Sequence, residues 1–395
     1  MIKRNFKKIL NYIKKADIVL WILLAAISAY SLLLLRSVDS STGSGYFRTQ
    51  VFAITLGVVG AVVLSLMDYG ELANFWYLLA GFSIFLMIYT ALFGVLVSGS
   101  GGVNARAWIN IGGRTFQSSE LVKIIFMLTY SKHLDTLRKR NLINQPLQVV
   151  LLGCHALVPI LLCQMQKDTG AGIVFFAMFL AMSLAAGVQL RYFAILGGVV
   201  VFSLPLLWKF VMDDYQKMRF IALFNLDDPS VQMDAGYQQY QGRISIGSGK
   251  LNGQGLFNGS RVASNSVPFQ HSDYIFSVAG EELGFVGCSL IILLLLLLMV
   301  KILHVAHSSR DDLGRFICFG YFGIIALQSV SNIGMCLALL PAMGVTLPFF
   351  SAGGSSAACM YFGFGLIQSV YMRRKEIDGL RLKRKEPLRF LNKKI

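Results

Sequence analysis

The chain has 395 residues, of which 55% are hydrophobic and only 14% charged, and its mean hydropathy is +0.62. Such a composition cannot clothe a water-soluble globule, so soluble enzymes and soluble binding modules are excluded and a polytopic membrane protein is expected. The formal net charge of +16 gathers mostly in the two terminal tails, which suits anionic membrane lipids as partners and makes nucleic acid a poor explanation.

A hydrocarbon core of roughly 30 Å takes about 20 apolar residues in helical form. On that length, spans are expected near 17-36, 50-67, 75-97, 118-133, 147-165, 170-188, 191-212, 273-300, 315-341 and 353-372. The fold class is therefore all-α: a polytopic bundle of about ten transmembrane helices over 17-372, with basic tails at 1-16 and 373-395. Glu120 and Lys123 interrupt the short fourth run, which leaves nine spans as the alternative. With ten, 24 Lys and Arg fall on the side of the termini and 10 in the opposite loops, so both termini are expected in the cytoplasm. The first span follows a basic tail without a small-residue cleavage site and reads as a retained anchor. The six cysteines lie in apolar runs with no CxxC spacing and read as packing residues. His304 and His307, one helical turn apart, lack a third ligand and read as interfacial.

One loop stands out. Residues 213-272 form an extracytoplasmic connection of about 60 residues, long enough to be functional or disordered. Its aromatics, including Phe220, Phe224, Tyr237 and Tyr240, alternate with Gly-rich turns in a composition suited to packing on the bundle. The run Ile246-Gly-Ser-Gly-Lys-Leu-Asn-Gly-Gln-Gly255 resembles a phosphate loop only superficially, because Gly-x-x-x-x-Gly-Lys-[Ser/Thr] is not satisfied.

Several polar groups sit where lipid makes them costly. Glu120 and Lys123 are three residues apart on one helix face, where mutual neutralisation lowers that cost; a structural pair and a functional pair both fit. Asp168 heads the sixth span and reads either as a helix cap or as a site residue. Arg106 and Trp108, after the flexible Ser98-Gly-Ser-Gly-Gly102, fit an interfacial anchor that also touches lipid phosphate. Asp273, on the outer lip of the eighth span, could be a cap or a base. Around the same helix stand His271, Glu281 and Glu282, with Glu281 about two turns, or roughly 12 Å, deeper on nearly the same face. Two adjacent acids that far into a helix point to a polar bundle interior or a wet cavity.

Five ordered motifs carry a resemblance over essentially the whole chain: Asn104-Ala-Arg-Ala-Trp-Ile109, Gln117-Ser-Ser-Glu-Leu-Val-Lys123, Gln166-Lys-Asp168, His271-Ser-Asp-Tyr-Ile-Phe276 and Leu347-Pro-Phe-Phe-Ser-Ala-Gly-Gly-Ser-Ser356. Together they resemble the SEDS family of bacterial cell-wall glycosyltransferases, the RodA/FtsW/SpoVE group. Some positions depart from the family pattern: Arg106-Ala-Trp108 stands for Arg-Arg-Trp, Gln117-Ser-Ser-Glu120 for Gln-Pro-Ser-Glu, Gln166-Lys-Asp168 for Gln-Pro-Asp, and Ser351-Ala-Gly-Gly354 for Ser-Tyr-Gly-Gly. The missing arginine weakens phosphate binding there as an expectation.

The resemblance implies an inverting peptidoglycan glycosyltransferase of the bacterial cytoplasmic membrane that polymerises lipid II at the outer face, for elongation, division or sporulation. Asp273 is the essential acid it implies; Trp108, Glu120, Lys123 and Asp168 are expected to support activity or folding, as are Glu281 and Glu282 from their placement. Inversion at the sugar needs a base on the acceptor and positive charge on the leaving diphosphate. Arg106, Arg243 and Arg261 are candidates for that charge, with Trp108 and His271 as further substrate contacts. No cofactor is certain; a divalent cation, Mg or Mn, held partly by Asp273 could supplement or replace the arginines. Expected partners are lipid II, undecaprenyl-diphosphate-linked glycan and a class B penicillin-binding protein. The rival functions are a lipid II flippase or transporter, which would show interrupted helices and repeats, and a non-catalytic scaffold, which would need no essential carboxylate.

Overall fold

A computed structural model describes residues 12, 14–98, 104–210, 212–226 and 228–374. Most of both basic tails, and Gly99–Gly102 of the Gly-rich stretch, lie outside the described residues. The first helix, α1, spans Ile18–Thr42. Asp17 starts it by accepting from the backbone N–H groups of Val19 and Leu20, which satisfies donors the helix leaves open. The other oxygen of Asp17 meets Lys301 Nζ at 2.8 Å, and its backbone exchanges two hydrogen bonds with the Gln368 side chain.

Next come α2 (Tyr46–Leu66), α3 (Tyr69–Asn74) and α4 (Trp76–Phe93). Strands β1 (Val95–Ser98), β2 (Asn104–Ile111) and β3 (Arg114–Gln117) then form an antiparallel sheet in the order β1-β2-β3. Long helices follow as α5 (Ser118–Lys139), α6 (Pro146–Met165), α7 (Thr169–Ala186) and α8 (Leu190–Phe210). The expected large loop contains α9 (Asp214–Phe224), α10 (Pro229–Gln232), α11 (Tyr237–Ser248) and α12 (Ser260–Ala263). The chain closes with α13 (Ile275–Ser308), α14 (Asp312–Cys336) and α15 (Gly354–Met372).

Among the described residues ten long helices thus stand where ten spans were expected, and eight of them are long and apolar enough to cross a membrane by length and composition. The remaining two, α5 and α15, are the polar, buried members of the bundle. The all-α class holds with one addition: Val95–Ser98, Asn104–Ile111 and Arg114–Gln117, around the stretch read as flexible and the interfacial anchor, pair as strands.

Small residues set the tightest helix contact. Gly57, Ala61 and Ser65 recur every fourth residue along α2 and are buried; a Cβ on Gly365 of α15 would stand 2.6 Å from the Ala61 carbonyl oxygen. Backbones approach that closely only where side chains are absent or small. Behind this pair α14 packs on α7, α13 and α5, and Phe316, Tyr321 and Ile324 are fully buried there.

Helix α13 corrects the sequence reading. It is broken at Gly284, whose φ of +63° and ψ of −157° no other residue adopts comfortably. The break is filled by backbone from the large loop: Phe285 N and Val286 N donate to the carbonyls of Lys250 and Leu251, while the carbonyls of Glu281 and Glu282 accept from Gln254 N and Gly255 N. The Gly-rich run exists for this contact. A Cβ on Gly249 would lie 1.9 Å from Gly280 O, and one on Gly253 would lie 2.1 Å from Glu282 O.

Candidate active site

The five motifs converge through hydrogen bonds at one end of the bundle. Trp108 on β2 pairs with Gln117 on β3, and Arg106 N donates to Gln166 O at 3.2 Å. Gln117 Nε2 and Ser119 Oγ both donate to Asp168 Oδ2, at 2.8 and 3.0 Å, while Asp168 Oδ1 caps α7 by accepting from Ala171 N. Asp168 therefore is a cap and a bridge at once. One turn along α5, Glu120 and Lys123 form an ion pair of 2.9 Å, with side chains 6% and 2% exposed. At that burial each charge needs the other.

The segment after α14 links this cluster to Asp273. A Cβ on Gly170, near the start of α7, would lie 2.6 Å from Met343 O, and one on Gly344 would lie 3.9 Å from Asp273 Oδ2. The fifth motif supplies Ser355 Oγ, which accepts from Gln117 N, and Ser351 Oγ, which donates to Ser272 O at 2.7 Å. Ala352 N donates to His271 O at 2.8 Å. Asn332 of α14 holds both sides, donating to Asp273 O at 2.7 Å and Val345 O at 2.8 Å.

Asp273 itself is half-buried just before α13. Burial pushes its carboxyl up to about 6, against the opposing influence of a hydrogen bond with Ser272 and of the positive charge of Arg219. Arg219, on α9, is the functional candidate that sequence reasoning missed. Its Nη1 donates to Ala342 O at 2.8 Å, which fixes the guanidinium beside the segment facing Asp273. Gln216 of the same helix donates to Thr169 Oγ1 at 3.3 Å, so α9 bridges the α7 start and the Asp273 wall. Its basic and aromatic composition alone did not separate Arg219 from Arg243 or Arg261.

The remaining candidates fall elsewhere. Arg261 is engaged by α11, through Ser245 Oγ at 2.9 Å and Gln241 Oε1. Arg243 is exposed on α11, one residue beyond Gly242, which abuts the Tyr274 ring. Arg106 is exposed, and its Nη1 reaches Leu92 O at 3.4 Å. The His271 ring stacks on Tyr46 with centroids 3.7 Å apart, and burial lowers its pKa to about 4, so it sits there neutral. Glu281 and Glu282 are buried among polar partners, the polar bundle interior that the sequence reading offered beside a wet cavity. They end the segment before the Gly284 break. Glu281 Oε1 accepts from Arg261 N and Val262 N, and Glu282 Oε1 accepts from Ser37 Oγ at 2.5 Å. Among the described residues no group of three His, Cys, Asp or Glu side chains could hold a metal ion.

This architecture has known counterparts. The family model described as cell cycle protein, covering FtsW, RodA and SpoVE, matches residues 14–376. Peptidoglycan glycosyltransferase MrdB of Escherichia coli K12 is 31% identical over 366 residues, covering 92% of this chain and 95% of that protein. A probable peptidoglycan glycosyltransferase FtsW of Geobacter metallireducens is 31% identical over 385 residues, covering 94% and 98%. A chain from a peptidoglycan synthase complex, solved to show how polymerization and crosslinking are coordinated, superposes with a TM-score of 0.74 at 25% identity, covering 91% of this chain and 99% of that one. The rod shape determining protein RodA of Thermus thermophilus superposes with a TM-score of 0.66 at 26% identity, covering 91% and 98%.

Proposed function

This chain belongs to the FtsW/RodA/SpoVE family and is a multi-pass membrane peptidoglycan glycosyltransferase of cell-wall synthesis; from that premise we propose that it polymerises lipid II with Asp273 as the general base. One observation carries the assignment. A carboxyl with its pKa pushed up to about 6 stands beside a fixed arginine where the five motifs meet. Near neutral pH such a group is largely ionised yet basic enough to take a proton in a transition state.

In the proposed reaction the 4-hydroxyl of the lipid II GlcNAc attacks the anomeric carbon of the MurNAc that ends a lipid-linked glycan. The new C–O bond forms as the bond from that carbon to the diphosphate breaks. The hydroxyl proton passes to Asp273, and undecaprenyl diphosphate leaves with the bonding electron pair. Arg219 supplies positive charge where negative charge grows on the diphosphate, in a site where fixed charges act strongly. Arg106 and Arg243, both exposed, are the remaining candidates to guide the diphosphate. A divalent cation would find one carboxylate, Asp273, among these groups; it would have to arrive with the diphosphate, and no step requires it.

The same reading places both termini in the cytoplasm, from the distribution of Lys and Arg, and so sets the Asp273 end at the outer membrane face. It also gives the chain a class B penicillin-binding protein as partner, since the structural neighbour comes from a complex joining polymerization to crosslinking. The Gly284 break does not favour a transporter. Its freed backbone groups bind residues 250–255 instead of lining a path.

Purified protein, alone and with its cognate transpeptidase, should convert labelled lipid II to polymer, and Asp273→Asn should not. Binding of lipid II without polymer in either preparation would overturn the enzymatic assignment.

A further inference from the structure

At the far end of α13 from Gly284, the chain turns into α14 through Ser309, Arg310 and Asp311, and a cavity of about 790 Å³ opens at this corner. That volume lies within the roughly 300–1,000 Å³ typical of ligand pockets. Leu303 and Phe319 give it an apolar side, and His307, Arg310 and Arg315 a basic one.

The carboxylates here already have partners. Asp312 meets Arg138 Nε at 2.9 Å, and Asp311 meets Arg310 Nε at 3.1 Å while accepting from Tyr69 Oη at 2.9 Å. Asp68 takes Arg310 Nη2 at 3.4 Å and Arg373 Nε at 3.3 Å. Three guanidinium groups, of Arg138, Arg310 and Arg373, therefore occupy the three carboxylates. Arg315 is the one left over: among the described residues it forms no ion pair, and its guanidinium lies 6.0 Å from the Phe319 ring centroid.

We infer that this corner binds an anionic phospholipid, its phosphate against Arg315 and its first chain carbons along Leu303 and Phe319. A half-buried guanidinium with no ion pair among the described residues calls for an anion, and the apolar side calls for something attached to it. A free phosphate would leave Leu303 and Phe319 without a role. The corner also ends the apolar run of α13, at the depth where headgroups lie. The inference rests on α13 and α14 crossing the membrane and is independent of the glycosyltransferase assignment.

The test uses the full chain in detergent, titrated with phosphatidylglycerol or phosphatidylcholine, with bound lipid counted by native mass spectrometry. Phosphatidylglycerol should be retained preferentially, and Arg315→Gln should weaken its binding about fivefold, the worth of one interfacial cationic contact. Arg191→Gln, at a different turn, should leave it unchanged. Equal retention of the two lipids, or unchanged phosphatidylglycerol binding by Arg315→Gln, would overturn the inference. So would displacement of phosphatidylglycerol by an equal concentration of inorganic phosphate, which would mark a free-anion site. A photoactivatable phosphatidylglycerol applied to the wild-type chain gives a check that needs no variant: crosslinks within 303–319 support the site, and crosslinks confined elsewhere refute it.

Discussion

Replacing Asp273 by Asn should stop glycan polymerisation and, at the same time, stabilise the protein. The carboxyl is pushed from its ordinary 3.8 up to about 6 by burial. A difference of roughly two pH units, at about 1.4 kcal/mol each, means that keeping the anion costs the fold at most about 3 kcal/mol. Solvent reaching the half-buried group reduces this, and about 1–2 kcal/mol is the working expectation. The sign follows from the proton. Because the native pKa lies above the unfolded one, the cost is complete above about pH 6, shrinks as the pH falls, and is gone below about pH 4. Asn is neutral and escapes it at every pH. Thermal unfolding in detergent should therefore show Asp273→Asn melting a few degrees above wild type at about pH 7.5, with the gap closed at about pH 4. Polymerisation by the same preparation should fall by about 10²–10⁴, the usual contribution of a general base. An Asn variant that melts below wild type at both pH values, or that polymerises at a wild-type rate, would refute the reasoning.

Wild-type polymerisation should lose about tenfold in rate per pH unit below 6, since only ionised Asp273 accepts the proton. Arg219→Gln removes a charge that favours the anion and should move this limb up by about one pH unit, while Arg219→Lys largely restores it; a uniform loss at every pH would leave Arg219 no influence on Asp273. Glu120→Lys or Lys123→Glu alone should lower yield and melting temperature through an unpaired buried charge worth about 3–5 kcal/mol, and the double exchange should recover part of the loss. Additive damage in the double variant would argue against pairing. Gly284→Ala should destabilise by about 1–3 kcal/mol from backbone strain alone; its Cβ would also stand 2.4 Å from Gly253 N. A neutral melting result would mean that the break is dispensable.

Hydropathy located the helices because each span must satisfy its own backbone, so length and apolarity survive into the fold. Local spacing sufficed for the Glu120–Lys123 pair and for the Asp168 cap, whose partners lie three residues away. What escaped was non-local. The break in α13 depends on φ at Gly284 and on carbonyls at 250 and 251, neither of which changes the apolar count of 273-300. The small sheet escaped too, because its register joins residues such as Val95 and Trp108 that no local spacing links. Arg219 reaches the Asp273 wall only because α9 folds back over the start of α7, and the motifs give no measure of that contact. His271 stood in the sequence as a candidate substrate contact, and its stacking on Tyr46 as a neutral ring is a pairing across more than 200 residues that the motif does not reveal.

The filled break in α13 also bears on how the protein assembles. Residues 275–283 are too few to hold a helix unaided, given the cost of nucleation, and their C-terminal end is pinned by residues 249–255 of the loop. The span from 285 onward is apolar enough to cross the bilayer by itself, whereas the nine residues that carry Asp273 into place rest on the loop that lies against them. The placement of Asp273 thus depends on a contact made far back in the chain, and a molecule whose loop had not packed would carry every motif without holding that carboxyl where the other motifs meet.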